Sequence, residues 1–130
     1  MSVRYQLRNP LKTARGIGSA KSGTDHFIAQ RITSVALTVL SIWFVVLAIS
    51  WIGDDYAAIR ASVARPLNAT LLVAFLLAMF WHSKLGVQVV IEDYVHSPWL
   101  AVAAQLLNIF VNAIAALASV LAVVRIALGT

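Results

Sequence analysis

Charged residues divide this chain into three long apolar runs. Ile32 to Gly53 carries no charge for 22 residues, and Tyr94 to Val124 carries none for 31. Between them, Pro66 to Ser83 runs for 18 residues and resumes after Lys84 as Leu85 to Ile91. A hydrocarbon layer about 30 Å thick needs about 20 helical residues at ~1.5 Å each. A charge at its centre costs about 2.5–3.5 kcal/mol on insertion scales, so charge-free runs of this length mark spans. The pattern predicts an all-α integral membrane protein with three transmembrane helices at about 32–52, 67–91 and 100–126. Residues 1–31 form a basic arm, and 32–130 the transmembrane domain. Trp51, Tyr56, Tyr94 and Trp99 fall at the ends of the runs, where amphipathic rings sit at the headgroups.

Composition excludes a water-soluble globule. The 130 residues are 61% apolar and 12% charged, against about 45–50% and 25% in soluble domains, and the mean hydropathy is +0.86. There is no cysteine, which removes disulfides, thiolate zinc, cysteine-held iron–sulfur clusters and covalent haem attachment. Any redox metal here must use histidine or a partner chain.

The net charge of +5 is a topology signal rather than a nucleic-acid one, because six of the ten basic residues lie at or before Arg31. The arm carries Arg4, Arg8, Lys12, Arg15, Lys21 and Arg31, the first loop only Arg60 and Arg65. This asymmetry places the N-terminus in the cytoplasm and, after three spans, the C-terminus in the periplasm. The arm lacks an apolar segment of the secretory type. It reads as a mitochondrial transit peptide or as a retained arm that meets a soluble partner at the cytoplasmic face. No glycine-rich phosphate loop or nucleophile motif is present, and no catalytic residue is assigned.

The end of the second run, WHSKLGVQVVIEDYVH, holds the most informative residues. His82, Gly86, Val89 and Asp93 recur at i, i+4, i+7 and i+11 and share a helix face. His82 lies about 16 Å from Asp93 along the axis, inside hydrocarbon, where a polar ring needs a partner. Gly86, one turn away, leaves room for a flat ligand. Two readings stay open: a hydrogen bond to a neighbouring helix, or coordination of a macrocycle. Neither His26 nor His96 is placed to supply a second axial ligand, so a bound haem would take it from another subunit. Glu92 lies about 100° round from His82 and reads as exposed to headgroups, and Lys84, about 200° round, as snorkelling or meeting a partner.

Arg31, Ser34, Thr38 and Ser41 form a polar stripe on the first span. Arg31 reads either as a headgroup anchor or as the partner of a carboxylate such as a haem propionate. On the third span, Ala101, Gln105, Asn108, Asn112, Ala115 and Ser119 read as small and polar glue between helices.

Two segments, GSAKSGTDHFIAQRITSVAL and HSKLGVQVVIEDYVHSP, resemble the D-type hydrophobic anchor, or cytochrome b small subunit, of bacterial succinate dehydrogenase. Gln30 stands where the related C-type anchor has histidine, which favours the D type. The resemblance implies that His82 is an axial ligand to the iron of a haem b shared with the C-type anchor, and that Arg31 lies near its propionates. It implies that Asp93 and Tyr94 contribute to the ubiquinone site, the tyrosine hydroxyl bonding a quinone carbonyl. It also implies an iron–sulfur subunit and a flavoprotein subunit carrying the clusters and FAD, which fits a chain without cysteine. The expected setting is the lipid of a bacterial inner membrane, with the mitochondrial inner membrane as the other possibility, and no nucleic acid. Two alternatives remain at this point: a fumarate reductase anchor, and a small non-redox assembly or transport subunit.

The orientation has a direct check. An alkaline-phosphatase fusion after Thr130 is expected to be active, and a stable but inactive fusion contradicts a periplasmic C-terminus.

Overall fold

The computed structural model describes residues 20–129, all-helical apart from short connections. Helix α1 spans Ala20–Ser50, α2 Tyr56–Ala64, α3 Pro66–Tyr94 and α4 Pro98–Leu128. Three of them, over Thr24–Ser50, Pro66–Tyr94 and Pro98–Leu128, are long and apolar enough to cross a membrane. The chain is a multi-pass membrane protein. Helices α1 and α3 exceed their charge-free runs, because a helix that has left the hydrocarbon continues through polar residues wherever its backbone bonds are satisfied. Thus α1 begins well before Ile32, and residues 20–31 of the arm are helical. Residues 1–19 of the arm lie outside the described residues.

Helix α2 was not anticipated by hydropathy, being too short to span. Its start is nevertheless chemical: Asp55 caps it, its Oδ1 accepting from the Ala58 N–H at 2.8 Å. Pro66 opens α3 and Pro98 opens α4, at positions where the missing N–H has no helical acceptor to lose. At the far end of α4, Gly129 adopts φ +80°, and its N–H caps the last carbonyls.

Helix α3 is the central element, with α1 and α4 both packed against it. On the α1 side, Phe44 stacks on Phe75 with ring centroids 5.0 Å apart and meets Trp51 edge-on at 6.5 Å. Trp51 Nε1–H in turn donates to Ser62 Oγ at 3.0 Å, and Asn68 Nδ2 donates to the Ser62 carbonyl at 2.8 Å. These bonds fasten the first connection, through α2, to both flanking spans.

The α3–α4 contact is polar where the sequence placed its stripe. Asn108, 6% exposed, donates from Nδ2 to the Lys84 carbonyl at 2.9 Å. Asn112 Nδ2 donates to the Asn108 carbonyl and to its Oδ1, at 2.9 and 2.8 Å. Gln105 Nε2 approaches the Gln88 carbonyl at 3.4 Å. The stripe is glue between helices. Buried apolar side chains among the described residues are few: Val63, Ala69, Leu72, Leu85 and Ile91. Most of the apolar surface faces outward, as lipid or further membrane chains require.

Asn108→Leu keeps the size of the side chain and removes its hydrogen bonds. It is expected to destabilise the fold by about 1 kcal/mol, the scale of interhelical hydrogen bonds in membranes. The midpoint of denaturant-induced unfolding in mild detergent measures this, and an unshifted midpoint contradicts it.

Candidate functional site

The second span carries His82 into the contact between α1 and α3. One helix of 29 residues is about 43 Å long, and His82 lies twelve residues, about 18 Å, from its Tyr94 end. The ring is half-buried, and both nitrogens face α1. Nδ1 is 3.0 Å from Thr33 Oγ1, and Nε2 is 3.5 Å from Gln30 Nε2, at the outer limit of a hydrogen bond. Gln30 Oε1 is buried with no hydrogen-bond partner. The interhelical hydrogen bond considered for His82 therefore exists, and it engages Nδ1.

Beside this contact runs a groove of about 560 Å³ lined by His26, Phe27, Gln30, Leu85, Gly86, Val89 and Glu92. Gly86 and Val89 share its wall, as their spacing predicts. A Cβ added at Gly86 would meet nothing within 4 Å, so no packed neighbour calls for glycine here and its backbone faces the open groove. Glu92 is exposed and receives a hydrogen bond from Gln88 Nε2 at 2.8 Å, but it also lines the groove. Its expected exposure holds, and because ten residues at about 100° each put it about 80° rather than 100° from the His82 direction, it also reaches the groove edge.

Arg31 lies on α1 beside Gln30, exposed, with its guanidinium 5.1 Å from the centroid of Phe27, a residue of the groove wall. Two further residues of its predicted stripe, Ser34 and Thr38, turn back on their own helix. Ser34 Oγ donates to the Gln30 carbonyl at 2.7 Å and Thr38 Oγ1 to the Ser34 carbonyl at 2.8 Å. Thr33 escaped that stripe because its position is rotated about 200° from Arg31 on the helix. The readable signal would have been its three-residue spacing from Gln30.

Asp93 and Tyr94 end α3. Both are exposed, Tyr94 at 77%, and neither lines the groove, although they share its Glu92 end. Lys84 projects to the opposite side, its ammonium 5.9 Å from the centroid of Trp81 in a smaller groove between α3 and α4 that Asn112 also lines. Because Cβ atoms tilt toward a helix's N-terminus, Lys84 leans back over Trp81 rather than toward Tyr94.

Among the described residues no three His, Cys, Asp or Glu side chains converge on a metal position. A metal held here through His82 would thus need a ligand from elsewhere. His82 and Arg31 lie beside the Gly86 groove rather than among its lining residues, so the chain offers one imidazole and one exposed guanidinium next to an apolar space.

Residues 6–124 match the succinate dehydrogenase/fumarate reductase transmembrane subunit family. The succinate dehydrogenase hydrophobic membrane anchor subunit of Rickettsia bellii is 36% identical over 91 residues, covering 70% of this chain and 73% of its own. The subunit of the same name from Rickettsia conorii is 32% identical over 92 residues, 70% and 73% of the two chains. That of Paracoccus denitrificans is 35% identical over 85 residues, 65% and 66% of the two chains. No solved structure matches the chain significantly. With three membrane-length helices and relatives of one name, this chain belongs to the succinate dehydrogenase/fumarate reductase transmembrane subunits and is a succinate dehydrogenase membrane anchor.

Proposed function

We propose that this chain is the D-type anchor of a succinate:ubiquinone oxidoreductase, that it holds haem b jointly with a C-type anchor, and that it forms part of the ubiquinone-reduction site. The observation that carries the reading is the placement of His82 about 18 Å along α3 from its Tyr94 end, within a helix of membrane-spanning length and beside a groove that Gly86 lines. A polar ring at that depth is costly without a role or a partner. His82 would ligate the iron through a ring nitrogen, and Arg31 would offer a charge-assisted bond to a haem carboxylate. When bound, the haem supplies a one-electron carrier within the membrane.

Reduction of ubiquinone to ubiquinol takes up two electrons and two protons. Tyr94 donates its hydroxyl hydrogen bond to a quinone carbonyl, polarising it toward protonation. Asp93, at the exposed end of α3, lies where water can deliver protons and holds the polar surroundings of the pocket. The remaining walls belong to the C-type anchor and the iron–sulfur subunit, while succinate oxidation, FAD and the clusters belong to the soluble subunits. With the N-terminus in the cytoplasm, Asp93 and Tyr94 face that compartment and the basic arm meets the soluble subunits there. The setting is a bacterial inner membrane. The relatives' shared name favours the succinate dehydrogenase reading over the fumarate reductase alternative.

The purified complex is expected to give a b-type reduced-minus-oxidised absorption spectrum that His82→Ala weakens or shifts. A wild-type spectrum in that variant removes His82 as ligand. Tyr94→Phe is expected to lower quinone reduction about tenfold, the scale of one lost hydrogen bond of ~1.4 kcal/mol. Succinate oxidation with a soluble dye stays intact in that variant, and equal losses in both assays point to misassembly instead.

A further inference from the structure

The hydroxyl of Thr33 has one hydrogen and two lone pairs. Three groups lie within its reach: the Ala29 carbonyl at 2.8 Å, the Gln30 carbonyl at 3.1 Å and His82 Nδ1 at 3.0 Å. Carbonyl oxygens only accept, so the hydrogen must point back at the Ala29 and Gln30 side, the usual back-bond of a helical threonine. Were it turned toward His82, two carbonyl oxygens would face Oγ1 lone pair to lone pair. Oγ1 therefore accepts, and Nδ1 carries the ring hydrogen. Its partner nitrogen agrees: the group nearest Nε2 is the Gln30 amide nitrogen, a donor that calls for a lone pair.

We propose that Thr33 is the positioning residue of His82, holding the imidazole in the Nδ1–H tautomer so that Nε2 alone presents a lone pair. Ser34, Thr38 and Thr70 make comparable back-bonds to their own helices, whereas the Thr33 hydroxyl bridges from its own helix to a ring on α3. The bridge fixes the ring plane as well as the tautomer, since Thr33 Oγ1 is itself held by the α1 backbone. Gln30 is the looser neighbour of Nε2: its contact is long, and its Oε1 is buried without a partner, so giving up this position breaks little. This assignment rests on the haem reading above and adds a residue to it. A histidine whose Nδ1–H is bonded to an acceptor is a more basic ligand at Nε2, which favours oxidised over reduced iron.

The test is a redox titration of the b-type spectrum in the assembled, detergent-purified complex. Thr33→Val keeps the branched shape and removes the hydroxyl, and Thr33→Ser keeps the hydroxyl. In Thr33→Val the preference of the site for oxidised iron is expected to fall about tenfold, the lower end of effects seen for groups that orient metal ligands. For a one-electron couple this raises the midpoint by ~59 mV. Thr33→Ser is expected to titrate as wild type. Should the valine variant fail to assemble, Thr33→Ala carries the same expectation. A wild-type midpoint in a variant without the hydroxyl overturns the assignment to Thr33 and leaves the haem reading standing, as does a serine variant shifted as far as valine. A wild-type complex with no b-type spectrum overturns the haem reading and this assignment with it.

Discussion

An imidazole in hydrocarbon must have its nitrogens satisfied by groups the protein brings to it, and the contact between α1 and α3 is organised by that need at His82. Helix α3 fixes the depth of the ring by its length and by its polar end at Asp93 and Tyr94. Helix α1 supplies the partners, Gln30 and Thr33, from adjacent turns of one face. The aromatic stack of Phe44 on Phe75 closes the same pair of helices further along. Polar and aromatic contacts thus set the register of α1 on α3, in a medium where simple apolarity discriminates poorly between one helix face and another.

The opposite face of α3 meets the same medium with a different solution. Asn108 and Asn112 bond to backbone and to each other, and Asn108 reaches the carbonyl of Lys84. The lysine itself leans over Trp81, where the indole face offers its ammonium an electrostatic partner in place of water. One stretch of α3 thereby carries His82 toward α1 and Lys84 toward α4, and both helices are held to it by bonds made within a few residues of each other.

Much of this was legible in the sequence because membrane insertion is a coarse filter on charge and length. The three runs between charges locate α1, α3 and α4 without knowledge of any contact. The asparagines of the third span were legible as glue for the same reason, since a buried amide in lipid has few other roles. Helix α2 escaped a reading based on hydropathy, although Asp55 ahead of an alanine-rich stretch is an ordinary cap. Thr33 escaped for a subtler reason. The stripe was counted from Arg31, the charged residue, whereas the contact is counted from Gln30, and a one-residue offset turns the face by about 100°. Helical spacing names faces, but only packing says which face meets which neighbour.

The two polar faces of α3 also differ in a way that separates structure from function. Along α4, the amides of Gln105, Asn108 and Asn112 all find acceptors inside the chain, and such a network has no need of anything further. Along α1 the pattern is incomplete. Gln30 keeps a buried oxygen without a partner, and its nitrogen only grazes Nε2 of His82. An unsatisfied buried polar atom costs about 1–3 kcal/mol, so a chain built for stability alone would have replaced Gln30 with an apolar residue of similar size. That incomplete pairing beside Nε2 of His82, at the wall of the groove that Gly86 also lines, separates this face from the glue on α4.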